Sequence, residues 1–187
     1  SAERVLDFGC GVGRWVPHLK REFKSYHGVD ISSEMLKIAR QRFPKQQFSR
    51  LKNFRINTEK NSFCLAFSVA VLHHNSYVNQ NVLLREISRV IRPGGQIMLF
   101  ESIGEWVVGS NHTFYPRPEA DWIELTEQHG FRHIETTGTC YRLADRTFAK
   151  VFSKNLSRKP LFYRTSIFLD AQLMPYLAPI LPSRLHE

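Results

Sequence analysis

The sequence predicts an α/β domain built on a doubly wound, mostly parallel sheet with helices on both faces. Three observations predict it. Short apolar runs alternate with longer amphipathic ones. The first apolar run ends directly in a glycine-rich turn. Residues 63–71 form a nearly unbroken apolar stretch, the pattern of a strand buried on both sides. Such alternation implies βαβ units joined by right-handed crossovers.

Residues 4–8 are short and apolar and stop at Gly9, Gly11 and Gly13, so a strand runs into a turn. Trp15, Val16, Leu19 and Phe23 then recur at helical spacing. Residues 26–29 form a second apolar run that leads into Asp30. Ser32, Ser33 and Glu34 offer an N-cap to a helix carrying Met35, Leu36, Ile38 and Ala39, and Pro44 closes it. Residues 47–51 make a third strand and 63–71 a fourth. Residues 82–91 have helical spacing and stop at Pro93-Gly94-Gly95, a turn signal, before a fifth strand at 96–100. Residues 120–128 read as a helix ended by Gly130, and residues 134–139 and 148–153 as two last strands.

Residues 1–154 are expected to form this domain, and residues 155–187 a basic and apolar tail. Pro160, Pro175, Pro179 and Pro182 alternate there with Phe162, Tyr163, Phe168, Leu173 and Tyr176. The tail can dock over the site, meet a partner, or make peripheral contact with a membrane. Ser1 lies a few residues before the first strand, so an N-terminal cap is expected to be missing.

At 187 residues, 42% hydrophobic and 23% charged, the chain has the balance of a soluble globular domain, and no apolar run approaches a membrane span. Cys10, Cys64 and Cys140 are far apart and without a CxxC pair, which argues against disulfides and zinc. They read as small buried residues of a reducing, cytoplasmic compartment. A net charge of +9 suits an anionic partner, whether nucleic acid, lipid or an acidic small substrate.

The segment that carries chemistry is Val5-Leu6-Asp7-Phe8-Gly9-Cys10-Gly11-Val12-Gly13. A strand, a turn without side chains and a helix N-terminus together let a ligand approach the backbone. Asp30, 19 residues beyond Gly11 at the end of the second strand, can accept both ribose hydroxyls of an adenosine cofactor. The glycines run GxGxG rather than the dinucleotide GxGxxG, and Arg14 stands where the third dinucleotide glycine would be. S-adenosyl-L-methionine has no pyrophosphate, and its ammonium suits a carboxylate such as Asp7.

On these residues the chain resembles the class I S-adenosylmethionine-dependent methyltransferases, in the group that includes ubiquinone-biosynthesis and sugar or small-molecule enzymes. The resemblance also uses Gly28-Val29-Asp30-Ile31-Ser32, residues 67–74 and the stretch 84–99 with Arg92-Pro93-Gly94-Gly95. It implies a Rossmann-like sheet of seven strands, the last antiparallel. It further implies that Gly9, Cys10, Gly11 and Gly13 lie along S-adenosyl-L-methionine, that Asp30 and Ile31 hold its ribose side, and that Ser68, Val69 and His73 line its methionine end. S-adenosyl-L-homocysteine would be the product. The family usually carries an acid after the third strand; Asn53 is the substitute here. Phe63-Cys64 stands where the family often has Phe-Asp.

A hydroxyl acceptor would need a base near neutral pKa, and the doubly wound rule directs attention to the strand ends. His73 and His74 follow the fourth strand, and His112, Tyr115 and Arg117 the fifth. His74 and His112 are the candidate bases, and Arg117 a candidate for an acidic acceptor. Trp106 and Trp122 fill the pocket or the core. His18, His27, His129, His133 and His186 read as structural or solvent-facing. No metal-ligand spacing is present. The expected function is methyl transfer to an oxygen or nitrogen of a small molecule, such as a sugar or lipid-linked intermediate. The alternatives are an RNA or other nucleic-acid methyltransferase, against which the scattered charge argues, and a non-catalytic domain that binds cofactor or partner.

Overall fold

A computed structural model describes residues 3–104 and 114–137 of the chain. The chain divides into two units, Ser1–His133 and Ile134–Glu187, and the description below concerns the first. The expected strand at 148–153, residues 138 and 139 of the preceding one, and the tail lie outside the described residues. Residues 134–137 carry no strand pairing among them.

Five strands form one parallel sheet: β1 (Arg4–Phe8), β2 (Ser25–Asp30), β3 (Gln47–Arg50), β4 (Phe63–Val69) and β5 (Ile91–Phe100), in the order β3-β2-β1-β4-β5. The helices are α1 (Val16–Glu22), α2 (Ser33–Arg42), α3 (Tyr77–Val90) and α4 (Glu119–Gln128). The chain winds outward from β1 to β3, then returns to place β4 on the other side of β1. Right-handed crossovers therefore put α1 and α2 on one face and α3 on the other. The direction reverses between β1 and β4, and ligands of such sheets bind at the carboxyl ends flanking that reversal.

Alternation along β1 decides what each face holds. Leu6 and Phe8 join Leu83, Leu84, Ile87 and Val90 of α3 and Trp122 and Leu125 of α4 in the main core. Val5 and Asp7 point the other way, toward the side where Tyr26 is buried. The expected two-sided burial of β4 is present, since Phe63 and the run from Leu65 to Ser68 are buried.

Helix starts follow the sequence closely. Ser32 caps α2 by accepting from the Met35 amide, and Ser76 caps α3 by accepting from the Asn79 amide. Pro17 sits in the first turn of α1, where no intrahelical N–H is required. Three boundaries differ from expectation by more than one residue. The third helix begins at Tyr77, a turn before residue 82, because the Ser76 cap lies upstream of the apolar spacing. β4 ends at Val69, since Ala70 takes a left-handed φ of 56°. Pro93-Gly94-Gly95 is not a turn between elements. Phe63 pairs with Ile91 but Leu65 with Gln96, so residues 92–95 bulge within β5.

Cys10 is buried as expected, while Cys64 is only half-buried, its thiol directed at the Arg4 carbonyl. Among the described residues no helix is long and apolar enough to cross a membrane.

Candidate cofactor and acceptor site

The carboxyl ends of β1, β2 and β4 bring together most of the residues singled out from sequence. Asp30 is the organising side chain. Its Oδ2 accepts from the Gly11 amide and its Oδ1 from the Ser32 amide, both at 2.8 Å. It thereby ties the glycine turn to the start of α2. Each carboxylate oxygen can accept again, so ribose hydroxyls remain within its capacity.

The glycines divide into two kinds. A Cβ on Gly9, whose φ is +78°, would lie 2.2 Å from Val71 Cγ2, so the turn is closed over by the β4–α3 connection. Gly13 is similarly packed, against Phe43. Only Gly11 of the three has nothing within 4 Å of the Cβ position. It is the point of the turn where a side chain would meet open space. The Gly9 and Cys10 amides are already used by the Val29 carbonyl, at 2.7 and 3.0 Å. Cys10 contributes a buried thiol, pushed up by burial and by the nearby Asp7 and Asp30 carboxylates.

Asp7 points into the interior. It is 1% exposed, and Tyr26 donates a 2.6 Å hydrogen bond to its Oδ2. Burial raises its pKa to about 7 against the pull of that bond. The carboxyl group lies beneath the turn because strand alternation turns it inward.

Ile31 is 68% exposed beside Asp30. Asn53 and Phe54 are the central pair of a tight turn closed by reciprocal bonds between Lys52 and Arg55, with φ of 49° and 58°. Asn tolerates that backbone and Phe does not. Ser68, beside Phe8 across the strand reversal, has a fully buried hydroxyl without a hydrogen-bond partner among the described residues. Val69 is half-buried at the end of the same strand. An open glycine position, an acid that still has acceptor capacity and an orphaned hydroxyl fit a polar adenosine-bearing cofactor along the ends of β1, β2 and β4.

The two neighbouring histidines part. His73 is 4% exposed, and its Nδ1 lies 2.5 Å from Glu101 Oε2. His74 is exposed, and both rings pack against Phe114. His112 and Trp106 lie outside the described residues. Tyr115 is held by its amide to the His73 carbonyl at 2.6 Å. Arg117 is held on one side: its Nε donates to Gln80 Oε1, and its guanidinium stacks over Tyr77 and near Trp122. Trp122 is core, donating its indole N–H to the Ser102 carbonyl.

Glu101 was not singled out from sequence. It accepts the amides of Val71, Leu72 and His73 as well as facing His73 Nδ1. An acid directly after a buried strand, the same pattern that marks Asp30, was the available signal.

Comparison with known proteins adds the following. The family profile described as "Methyltransferase domain" matches residues 6–99. Phosphoethanolamine N-methyltransferase 2 of Caenorhabditis elegans is 31% identical over 103 residues, covering 52% of this chain and 23% of that protein. An uncharacterized methyltransferase of Bacillus thuringiensis (strain Al Hakam) is 28% identical over 134 residues, covering 72% of this chain and 59% of that protein. The chain thus spans less than two thirds of the length of these relatives. Among solved structures, Haemonchus contortus phosphoethanolamine N-methyltransferase 2 in complex with S-adenosyl-L-methionine superposes with a TM-score of 0.66 at 23% identity, covering 95% of this chain and 46% of that one. The PH0226 protein of Pyrococcus horikoshii OT3 gives 0.63 at 19% identity, covering 74% and 78%. At these identities the structural likeness establishes the Rossmann-like α/β fold.

Proposed function

The chain belongs to the class I S-adenosylmethionine-dependent methyltransferase-domain family, and from that premise we propose that it moves a methyl group from S-adenosyl-L-methionine to an oxygen or nitrogen of a small molecule. The observation that carries the reading is the Asp30–Gly11 bond at the strand reversal, beside the one turn glycine that opens onto free space. When bound, the cofactor supplies the activated methyl group. The protein's part is placement, which in such reactions provides much of the rate.

In this reading the open backbone at Gly11 receives the cofactor, and Asp30 adds ribose hydroxyls to the two amides it already accepts. Ile31 and the Asn53 turn flank the adenine, and Ser68, Val69 and His73 line the methionine end, where Ser68 gains the partner it lacks. Asp7 acts from below, holding Tyr26 and the turn. His74 and His112 are the bases proposed for an acceptor hydroxyl. The name of the Caenorhabditis relative makes phosphoethanolamine a reasonable first acceptor to try, in keeping with an acidic small molecule.

A second reading, a nucleic-acid acceptor, is favoured by one observation. No acid occurs between Glu34 and Glu59, while Lys37, Arg40, Arg42, Lys45, Arg50, Lys52 and Arg55 are all exposed there. RNA binding that weakens steeply with salt would support it.

Calorimetric titration with S-adenosyl-L-methionine and S-adenosyl-L-homocysteine, alongside Asp30→Ala, tests the cofactor site. Wild-type binding is expected in the micromolar range, with Asp30→Ala weakening it at least about tenfold, or about 1.4 kcal/mol. No binding by a folded wild-type chain counts against the reading.

A further inference from the structure

We infer that Arg117, aimed by the buried side chain of Gln80, holds an anionic oxo group of the methyl acceptor, a carboxylate or a phosphate, on its two terminal guanidinium nitrogens. The anion site rests on the geometry around Arg117 alone. Its use by an acceptor rests on the methyltransferase reading.

Gln80 lies near the start of α3 and is fully buried. A primary amide in that position must place both of its N–H donors and its carbonyl. Its Nε2 donates to the Asn75 carbonyl at 3.0 Å and to the Tyr115 carbonyl at 2.8 Å. Carbonyls only accept, so the amide has one possible orientation, and Oε1 must meet a donor. That donor is Arg117 Nε, at 2.6 Å. One side chain thereby ties together the turn that follows β4, the segment 115–117 and the guanidinium. Nothing in the local pattern marks Gln80, because two of its partners lie 35 and 37 residues away.

The plane of the guanidinium is fixed as well. Its Cζ lies 4.6 Å from the centroid of the Tyr77 ring and 5.8 Å from that of Trp122. The Tyr77 hydroxyl donates to the Pro116 carbonyl at 3.1 Å, and its ring meets Tyr115 edge-on, so this platform is itself held. Stacking occupies the faces of a guanidinium and leaves its rim to hydrogen bonds. Nη1 and Nη2 carry four N–H groups between them. Among the described residues none of these has a hydrogen-bond partner, and no carboxylate pairs with the charge. Glu119 and Asp121, in the first turn of α4, are exposed and form no ion pair with it. A half-buried cation in that state gains most from a planar anion, whose two oxygens match the fork in a bidentate, charge-assisted pair.

The fork is anchored at the carboxyl ends of the strands. The Tyr115 amide donates to the His73 carbonyl at 2.6 Å, and Gln80 reaches Asn75, so residues 115–117 run along the turn after β4. The same turn carries Val71, which closes over Gly9. An acceptor gripped at Arg117 by one end is therefore tethered beside the cofactor turn, and it loses most of its freedom before the methyl group moves.

Nitrogen-15 NMR of the arginine-labelled chain, with and without S-adenosyl-L-homocysteine, reads the site, and Arg117→Lys assigns its Nε–H resonance. The probes are inorganic phosphate and acetate, each titrated at constant ionic strength. A saturable shift at Arg117, with little at the exposed Arg21, is expected from at least one of them. Tighter phosphate points to a phosphorylated acceptor and tighter acetate to a carboxylate. No saturable shift in the folded chain, or equal shifts at Arg21 and Arg117, overturns the anion site. Saturation by a single-stranded RNA oligomer far below the phosphate concentration needed would overturn the small-molecule acceptor. In a folded Gln80→Leu, phosphate should bind about tenfold more weakly, and unchanged affinity would overturn the part given to Gln80. A shift at Arg117 in a folded chain that binds no S-adenosyl-L-homocysteine would overturn use by a methyl acceptor and leave the anion site standing. With an anionic acceptor that turns over, Arg117→Lys should raise its KM at least about tenfold while cofactor affinity stays within about threefold. An unchanged KM would overturn the role in acceptor binding.

Discussion

Gly9 is a residue whose importance lies in what it lacks. The space its side chain would fill belongs to Val71 Cγ2, and its φ is one that side chains resist. Gly9→Ala should cost about 2–4 kcal/mol, adding left-handed strain to overpacking. In a Val71→Ala background the same change should cost only the backbone part, about 1–2 kcal/mol. Denaturant unfolding of the four chains measures this, and equal costs in both backgrounds would mean that Val71 is not the obstacle. Phe54 is the opposite case, a bulky residue in a left-handed position that the tight turn prefers to give to glycine. Phe54→Gly should raise stability by about 1 kcal/mol, the relief of strain outweighing the added freedom of the unfolded chain. If the exposed ring covers the adenine, cofactor affinity falls in the same variant, and titration beside the unfolding curve reads both.

Among the elements, α3 is anchored by a group that no local pattern announces. Glu86 is buried; it accepts from the Ile56 amide at 2.8 Å and pairs with Arg89 and Arg55. Burial works to raise its carboxyl, but the bonds from Arg89 and Ile56 and the charge of Arg55 hold it below the ordinary value. A depressed carboxyl contributes stability above its unfolded pKa and loses it as pH falls through the folded one. Glu86→Gln should therefore cost about 1–3 kcal/mol near neutrality and less in acid, measured by unfolding at several pH values. A cost that does not shrink in acid would place the effect in packing rather than charge. The contrast with Ser32 and Ser76 is instructive. Their caps act three residues along the chain and are readable from spacing. Glu86 meets its amide partner thirty residues away, and Glu101 meets His73 twenty-eight away, with no periodicity to show it.

At the scale of the molecule, the succession of strands and helices and the turn at the end of the first strand were legible because they follow from local facts: an apolar run, a glycine turn, an acid after the second strand. What the sequence left hidden was which side of a strand each polar group would face. Asp7 and His27 are the clearest examples, since both turned inward. Burial and the neighbouring Arg4 lower His27 to about 4, while burial raises Asp7 to about 7. Arg4 can only donate, so His27 Nδ1 accepts from it and Nε2–H donates to Ser49 Oγ at 2.7 Å. Between about pH 4 and 6.5 the native state keeps a proton on Asp7 that the unfolded chain releases, and lacks one on His27 that the unfolded chain binds. The two slopes of stability against pH oppose each other and nearly cancel. Asp7→Asn, whose carbonyl still accepts from Tyr26, should uncover the histidine: stability present above about pH 6.5 is lost toward pH 4, by on the order of 3 kcal/mol. His27→Gln should uncover the acid instead: stability present near pH 4 is lost as pH rises toward 7, by a similar amount. Chemical unfolding of the wild type and both variants across that window decides it. Opposite slopes in the two variants around a flatter wild type are expected, and parallel curves would mean that these two buried groups do not set the proton balance of the fold.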